Sequence, residues 1–329
     1  MKKNLFCIFI LSLTAWNAKA QNDIEPINTG VANFLTIPTD ARNAGMGGTG
    51  TALIDNSNSI FNNGSTTVLN DTPKAGATYT FTPWMREYES GHFLNTLSGF
   101  YKIDKQNVIL AGFRHNKYPK VGVIENSELN NRNIYPKEWA IDLGYAREIL
   151  PDLAASVTVK YIHSDMGSIG GAKSGNAVAF DLGVIYQRNI HCMEGASWTA
   201  GLQVSNLGTR IKYLETKEYL PALAKLGGAI NLPFSPTHRL IVTADLGYRF
   251  APADVKALNV STGAEYTYLQ HFSLRGGYHY GDKKKGDASF ATAGLGIKYF
   301  GANLDAAWLF AKKDCPLKNT LWVSLGYGF

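Results

Sequence analysis

An all-β chain, closing into a fourteen-stranded antiparallel transmembrane β-barrel behind an N-terminal plug segment with a short helix, is the fold that this 329-residue sequence predicts. Three observations carry the expectation. In the last nine residues Leu321, Val323, Leu325, Tyr327 and Phe329 take one parity and Trp322, Ser324, Gly326 and Gly328 the other. A strand with that pattern has one apolar face and one mostly small or polar face. The same alternation recurs in strand-sized segments from Ala75 onward. The connections between them are alternately short and long, as in a barrel whose turns face the periplasm and whose loops face outside.

The strands are predicted at 75–83, 93–102, 107–116, 138–148, 153–163, 174–187, 197–207, 222–231, 238–250, 256–267, 270–281, 288–299, 302–311 and 319–329. Several alternate without a break. Val178, Phe180, Leu182, Val184 and Tyr186 oppose Ala179, Asp181, Gly183, Ile185 and Gln187, and Leu240, Val242, Ala244, Leu246 and Tyr248 oppose Ile241, Thr243, Asp245, Gly247 and Arg249. Segments near ten residues suit a tilted membrane strand, whereas soluble strands usually run to ~5–6. One such segment would also fit the edge of a soluble sandwich; the repetition defeats that reading. A final apolar-out strand ending in an aromatic makes Tyr327 and Phe329 the barrel-closing signal, placed at the membrane–water boundary.

The N-terminus points to export. Lys2 and Lys3 precede the apolar run Leu5 to Trp16, then Asn17-Ala18-Lys19-Ala20, so residues 1–20 read as a cleaved signal peptide with the mature chain starting at Gln21. The run falls short of the ~20 residues a membrane helix needs. Gln21 rather than Cys follows the cut, which argues against a lipoprotein anchor. Beyond it, strands are the remaining way to satisfy a backbone in lipid. The 33 glycines, 16 Phe and 17 Tyr favour strands with aromatic girdles. A mean hydropathy of −0.13 is neutral on this point.

The formal charge of +6 overstates the basic character, because Lys2, Lys3 and Lys19 leave with the signal peptide and 29 basic residues then face 26 acidic ones. With no Lys/Arg groove, the sequence points away from a nucleic-acid partner. Lys283-Lys284-Lys285 reads as a solvated loop tip, or as a contact for lipopolysaccharide phosphates. Cys192 falls in a periplasmic turn and Cys315 in the last outer loop, so the two sit at opposite barrel ends and are expected to stay free thiols.

Residues 21–74 do not alternate. Asn33 to Gly50 is rich in glycine and turn residues, and Asp55 to Leu69 has apolar residues spaced for a short helix. Neither a GxxxxGK[ST] nor a complete GxGxxG pattern is present, so the glycines are expected to let a compact plug pack closely rather than to bind phosphate. The barrel proper then spans 75–329.

Phe34-Leu-Thr-Ile-Pro-Thr-Asp-Ala-Arg-Asn-Ala-Gly-Met-Gly-Gly-Thr-Gly-Thr-Ala52, with Asn58-Ser-Ile-Phe61 and Asn63, resembles the start of the PorV/PorQ family within the fatty-acid-transporter-like (FadL-like) outer-membrane barrels. The Asp-Ala-Arg…Gly-Met-Gly element is more similar to the PorV branch. The resemblance implies a plug marked by Phe34, Asp40, Arg42, Gly45, Met46 and Gly47. It also implies a role in type IX secretion, with the translocon barrel and the C-terminal signal domains of secreted proteins as partners beside outer-membrane lipid and lipopolysaccharide. The wider superfamily implies uptake of hydrophobic small molecules instead. Two departures stand out: Asn63-Gly64-Ser65 replaces the family's Asn-Pro-Ala, and the chain is short for the branch.

Inward parity gathers Asp142, Lys160, Asp181, Asp245, Arg249, Lys298 and Asp305 as a lumen ionic lattice, with a solute path as the functional alternative. No catalytic, metal or cofactor site is expected. His163-Ser164-Asp165 are strand neighbours on alternating faces and cannot converge. His271 and His279 are eight apart on one strand, ~27 Å by strand rise. His191 beside Cys192 is a lone ligand pair. The outer loops 83–92, 119–137 and 208–220 are the expected cargo surface.

Overall fold

The computed structural model describes residues 30–54, 58–70, 73–86, 90–124, 131–167, 174–213 and 216–329. The signal peptide and cleavage point lie outside the described residues. The barrel strands are β1 (Ala75–Pro83), β2 (Phe93–Lys102), β3 (Asn107–Lys117), β4 (Lys137–Leu150), β5 (Leu153–Asp165), β6 (Gly175–Asn189) and β7 (Ser197–Gly208). They continue as β8 (Leu223–Ser235), β9 (His238–Arg249), β10 (Ala257–Tyr268), β11 (Phe272–Tyr280), β12 (Phe290–Tyr299), β13 (Ala302–Phe310) and β14 (Leu321–Gly328). Each pairs antiparallel with its sequence neighbours, and β1 pairs with β14 to close the sheet. This is the fourteen-stranded antiparallel barrel that the two-residue period predicts. Two small hairpins, Val121–Ile124 with Asn131–Ile134 and Ile211–Tyr213 with Thr216–Glu218, rise from outer loops.

The burial pattern is the reverse of a soluble protein's. Tyr79, Phe81, Leu97, Leu143, Leu182, Leu226, Leu246, Leu274, Leu295 and Leu325 point outward and exposed, while Thr78, Thr80, Ser98, Asp142, Lys160, Thr243 and Ser324 point inward and buried. Only a hydrocarbon surround makes that arrangement favourable. Outward aromatics collect at both edges of the apolar band. Tyr101, Trp198, Tyr268, Phe272, Tyr299 and Tyr327 mark the periplasmic edge, and Phe81, Tyr248, Tyr280 and Phe310 the outer one.

The periplasmic turns are tight. Pro151-Asp152, Pro236-Thr237 and Phe300-Gly301 each join two strands directly. At the last of these, Phe300 and Gly301 both have positive φ, at 45° and 81°, the backbone that matches strand twist in a two-residue hairpin. The barrel closes through main-chain bonds in both directions, Ala75 N to Phe329 O and Phe329 N to Ala75 O, each 2.9 Å. Tyr327 and Phe329 lie ring to ring at 6.0 Å.

The described residues 30–54 and 58–70 fill the lumen. The helix expected between 55 and 69 is instead two 3-10 turns, Ser59–Phe61 and Gly64–Thr67. An α-helical turn, α1 (Ala41–Ala44), comes earlier, where the Asp40 side chain accepts from Asn43 N at the N-cap. The second of these turns opens on Gly64. The preceding Asn63 ties the turn down, its Nδ2 donating to Thr51 O (2.8 Å) and Val184 O (3.0 Å) and its Oδ1 accepting from Ser65.

Cys192 is exposed in the β6–β7 turn, whereas Cys315 is buried with Ala41, Ala307, Leu317 and Trp322, and neither forms a disulfide among the described residues. Alkylation of the native protein in detergent is expected to label Cys192 alone, with Cys315 reacting only after unfolding; mass spectrometry checks the count. Deleting Phe329 removes the last two main-chain bonds of the seam. The expected result is a large loss of the heat-modifiable, membrane-inserted form on gels.

Candidate functional site

The plug's seat is built from backbone donors and a single carboxylate. Oδ2 of Asp245 on β9 accepts from Gly50 N (2.9 Å), Thr51 N (3.1 Å) and Thr51 Oγ1 (2.8 Å). Hydrogen bonds to a charged group are worth about 1.5–3 kcal/mol each, so these three fix the plug to the wall. Further ties spread around the barrel. Ala41 N donates to Ser324 Oγ (2.9 Å), Gly47 N to Thr292 Oγ1 (2.9 Å), Trp322 Nε1 to Pro38 O (2.9 Å) and Thr199 Oγ1 to Ala52 O (2.6 Å). Where the plug touches β11, Gly277 leaves no room for a side chain: a Cβ there would sit 2.2 Å from Gly47 N and from the Met46 carbonyl carbon.

Two ionic networks lie behind this seat. On the β3–β6 wall, Arg114 pairs with Asp142 (2.8 Å) and Lys160 with Asp181 (2.5 Å), and Lys160 also donates to Asn206 Oδ1 (2.9 Å). On the opposite wall, Glu265 of β10 takes Arg42 of the plug (2.9 Å) and Arg275 of β11 (2.6 Å), while Arg275 reaches Asp305 of β13 (2.7 Å). Burying a charge is costly unless it is paired or hydrogen-bonded, and removing one member of a buried pair costs about 3–5 kcal/mol.

The plug divides the lumen in two. A polar cavity of about 480 Å³ on the periplasmic side is lined by Arg42, Asn70, Arg239, Glu265, Lys298 and Asn303, among others. An outer cavity of about 200 Å³ lies between the plug and the outer loops. Its apolar surface comes from Phe34, Trp84, Met85, Phe290 and Leu317. At its edge Glu138 accepts from Ala32 N (3.2 Å), Ser164 Oγ (2.7 Å) and Tyr118 Oη (2.6 Å). Burial, reinforced by the Glu138 carboxylate, pushes the Tyr118 phenol far above its ordinary value. Burial likewise pushes Tyr213 up to about 12. Both phenols therefore stay neutral donors.

Across the same cavity, Ser261 Oγ lies 2.8 Å from His279 Nδ1, and His279 Nε2 lies 3.0 Å from Asp287 Oδ1. Asn259 Nδ2 donates to Asp287 Oδ2 (3.1 Å). Burial opposes ionisation of Asp287, but the hydrogen bonds from His279 and Asn259 prevail and hold it below the usual carboxylate range.

The sequence-predicted residues separate into groups. Phe34, Asp40, Arg42, Gly45, Met46 and Gly47 all lie in the plug. Phe34 and Met46 are buried, Asp40 caps α1, Arg42 carries the ion pair, Gly45 packs on Gly294, and Gly47 bonds to Thr292. Asp142, Lys160 and Asp181 come together, and Asp305 joins the second network. Asp245 binds backbone rather than a cation. Arg249 is buried with no ion pair among the described residues. Lys298 does not belong to the lattice: it is exposed on the periplasmic rim, because β12 reaches its turn there. Arg114, Glu265 and Arg275 were not singled out from the sequence, although inward parity on their strands is the signal that marks them.

This geometry defines a class, the plugged outer-membrane barrels. Among solved structures the chain is similar to the Ralstonia pickettii toluene transporter TbuX (TM-score 0.56, 14% identity, 91% of this chain and 99% of that one). It is also similar to the CymD monoaromatic hydrocarbon channel (0.58, 13%, 89% and 98%) and to a Pseudomonas aeruginosa FadL homologue (0.53, 12%, 88% and 98%). At such identity the likeness is one of fold. No curated protein sequence matches the chain. The family model for the type IX secretion system protein PorV matches residues 18–256, and the chain belongs to that family. Family and fold are those of a secretion or transport barrel rather than of an enzyme class.

Asp245→Ala is expected to free the Gly50–Thr51 segment of the plug while leaving the barrel closed. Limited proteolysis should then cut within residues 39–52 at least several-fold faster than in the unmutated protein. Gly277→Ala should unseat the plug by steric contact and give the same proteolytic signature.

Proposed function

We propose that this outer-membrane barrel acts in type IX protein secretion as a partner of the translocon, binding the C-terminal signal domains of secreted proteins at its outer rim. Membership of the PorV family is the observation that carries this reading. The plug supports it physically: with the lumen divided and the plug bonded to β7, β9, β12 and β14, a folded domain has only the rim to bind. Of the three loops expected to form that surface, two carry hairpins, and 209–222 presents Arg210 stacked on the exposed ring of Tyr219 at 3.8 Å. Arg and Tyr are the side chains that most often anchor protein interfaces.

The second reading is uptake of hydrophobic small molecules. It is favoured by the apolar lining of the outer cavity and by the transporters that share the fold. One experiment separates the two. A tagged chain pulled from outer membranes should bring down the translocon barrel and signal domains, and replacing 210–219 with a Gly-Ser turn should reduce signal-domain recovery at least tenfold with the barrel still folded. Recovery of bound lipid or aromatic solute, with no protein partner, would reject the secretion role in favour of uptake.

A further inference from the structure

The Ser261–His279–Asp287 chain is explained neither by the plug, which it does not touch through any of these bonds, nor by the family match, which ends at residue 256. Two strands and a loop converge to build it. Ser261 stands on β10, His279 is its cross-strand partner on β11, and Asp287 folds back from the outer loop between β11 and β12. The imidazole is held in plane by Phe290, stacked at 4.8 Å with 17° between the rings. Asp287 reaches it only because residue 281 is a glycine: a Cβ there would lie 2.6 Å from the Asp287 carboxyl carbon. All three line the outer cavity.

We propose that Ser261, His279 and Asp287 form a serine-esterase site that hydrolyses small carboxylic esters arriving from the cell surface. A carboxylate accepts only, so His279 Nε2 carries its proton towards Asp287 and Nδ1 is left to accept from the Ser261 hydroxyl. Ser261 Oγ attacks the ester carbonyl carbon as its proton passes to His279 Nδ1. The C–O bond to the alcohol then breaks, and the departing alkoxide takes that proton. Water, deprotonated by the same nitrogen, attacks the acyl-serine and releases the acid, restoring Ser261. Ester and water thus give acid and alcohol with no other reactant.

The oxyanion formed on attack needs a donor. Arg249 lines the same cavity, is buried, and has Nε and Nη1 without hydrogen-bond partners among the described residues. Asp245 faces Ser261 across the β9–β10 pair, and Arg249 stands four residues farther along β9 on the same inner face, ~13 Å by strand rise. Arg249 is thus the buried cation that this cavity offers to the developing charge. Bilayer lipid is excluded as substrate, because the inward parity of Ser261 turns it from the membrane.

The test uses the full chain in detergent, with p-nitrophenyl acetate as substrate and a fluorophosphonate probe followed by mass spectrometry. The expected result is one adduct, on Ser261, and hydrolysis that Ser261→Ala abolishes. His279→Ala should lower the rate ~10²–10⁴-fold. Asp287→Asn, at a positioning residue, should lower kcat with KM nearly unchanged. Ser261→Ala removes only a hydroxyl, so retained heat-modifiable mobility certifies its fold. Absence of a Ser261 adduct, or hydrolysis equal in Ser261→Ala, overturns the proposal and leaves the chain as a brace for the outer loop.

Discussion

Everything in this molecule follows from the refusal of a bilayer to hydrogen-bond a peptide group. A sheet with an open edge cannot sit in hydrocarbon, so fourteen strands must find fourteen pairings, and the last must be made between the two ends of the barrel sequence. The Ala75–Phe329 main-chain pair completes that circuit. Once the outward parity has been given to lipid, the inward parity is committed to polar and small residues. A lumen lined this way cannot collapse into an apolar core, and it is filled by separate chain carrying its own polar partners.

That filling explains the distribution of charge. Arg42 enters the plug because Glu265 is already on the wall, and Glu265 is tolerable there because Arg275 shares it. Asp245 pairs with no cation among the described residues; it is compensated by two backbone N–H groups and a hydroxyl. The plug is thus bound by directional polar contacts rather than by burial of apolar area alone. Its apolar residues, such as Phe34 and Met46, pack in the gaps between them.

The barrel was legible in the sequence because a strand's faces are dictated by parity, and parity survives without knowledge of neighbours. Strand count, boundaries to within a few residues and the alternation of short turns and long loops all follow from that local rule. The interior was legible only as a set. Parity puts Asp142, Lys160 and Asp181 inside together, but which carboxylate meets which cation depends on register and strand tilt, set by contacts far apart in sequence. Lys298 shows the limit: it has the inward parity yet lies at the rim, where parity no longer separates lumen from water. The plug was least legible, since 3-10 turns carry no periodic signal. Ser261, His279 and Asp287 were invisible for a related reason, being brought together by cross-strand pairing and one folded-back loop. The adjacent His163, Ser164 and Asp165 share the residue types, and there His163 bonds to Asn176 while Ser164 turns inward to Glu138.

The plug's partners have a bearing on how the chain assembles. Pro38, Ala41 and Gly47 lie near the start of the chain, yet they bond to Trp322, Ser324 and Thr292 near its end. The segment synthesised first therefore lacks part of its seat until the strands synthesised last are present. One of those strands, β14, forms the seam itself. Seating the plug is then coupled in time to closing the wall, and an incompletely zipped barrel holds its plug by the earlier strands β7 and β9 without the later ties. The plug acts as an internal inspector of the seam, rewarding only the finished cylinder.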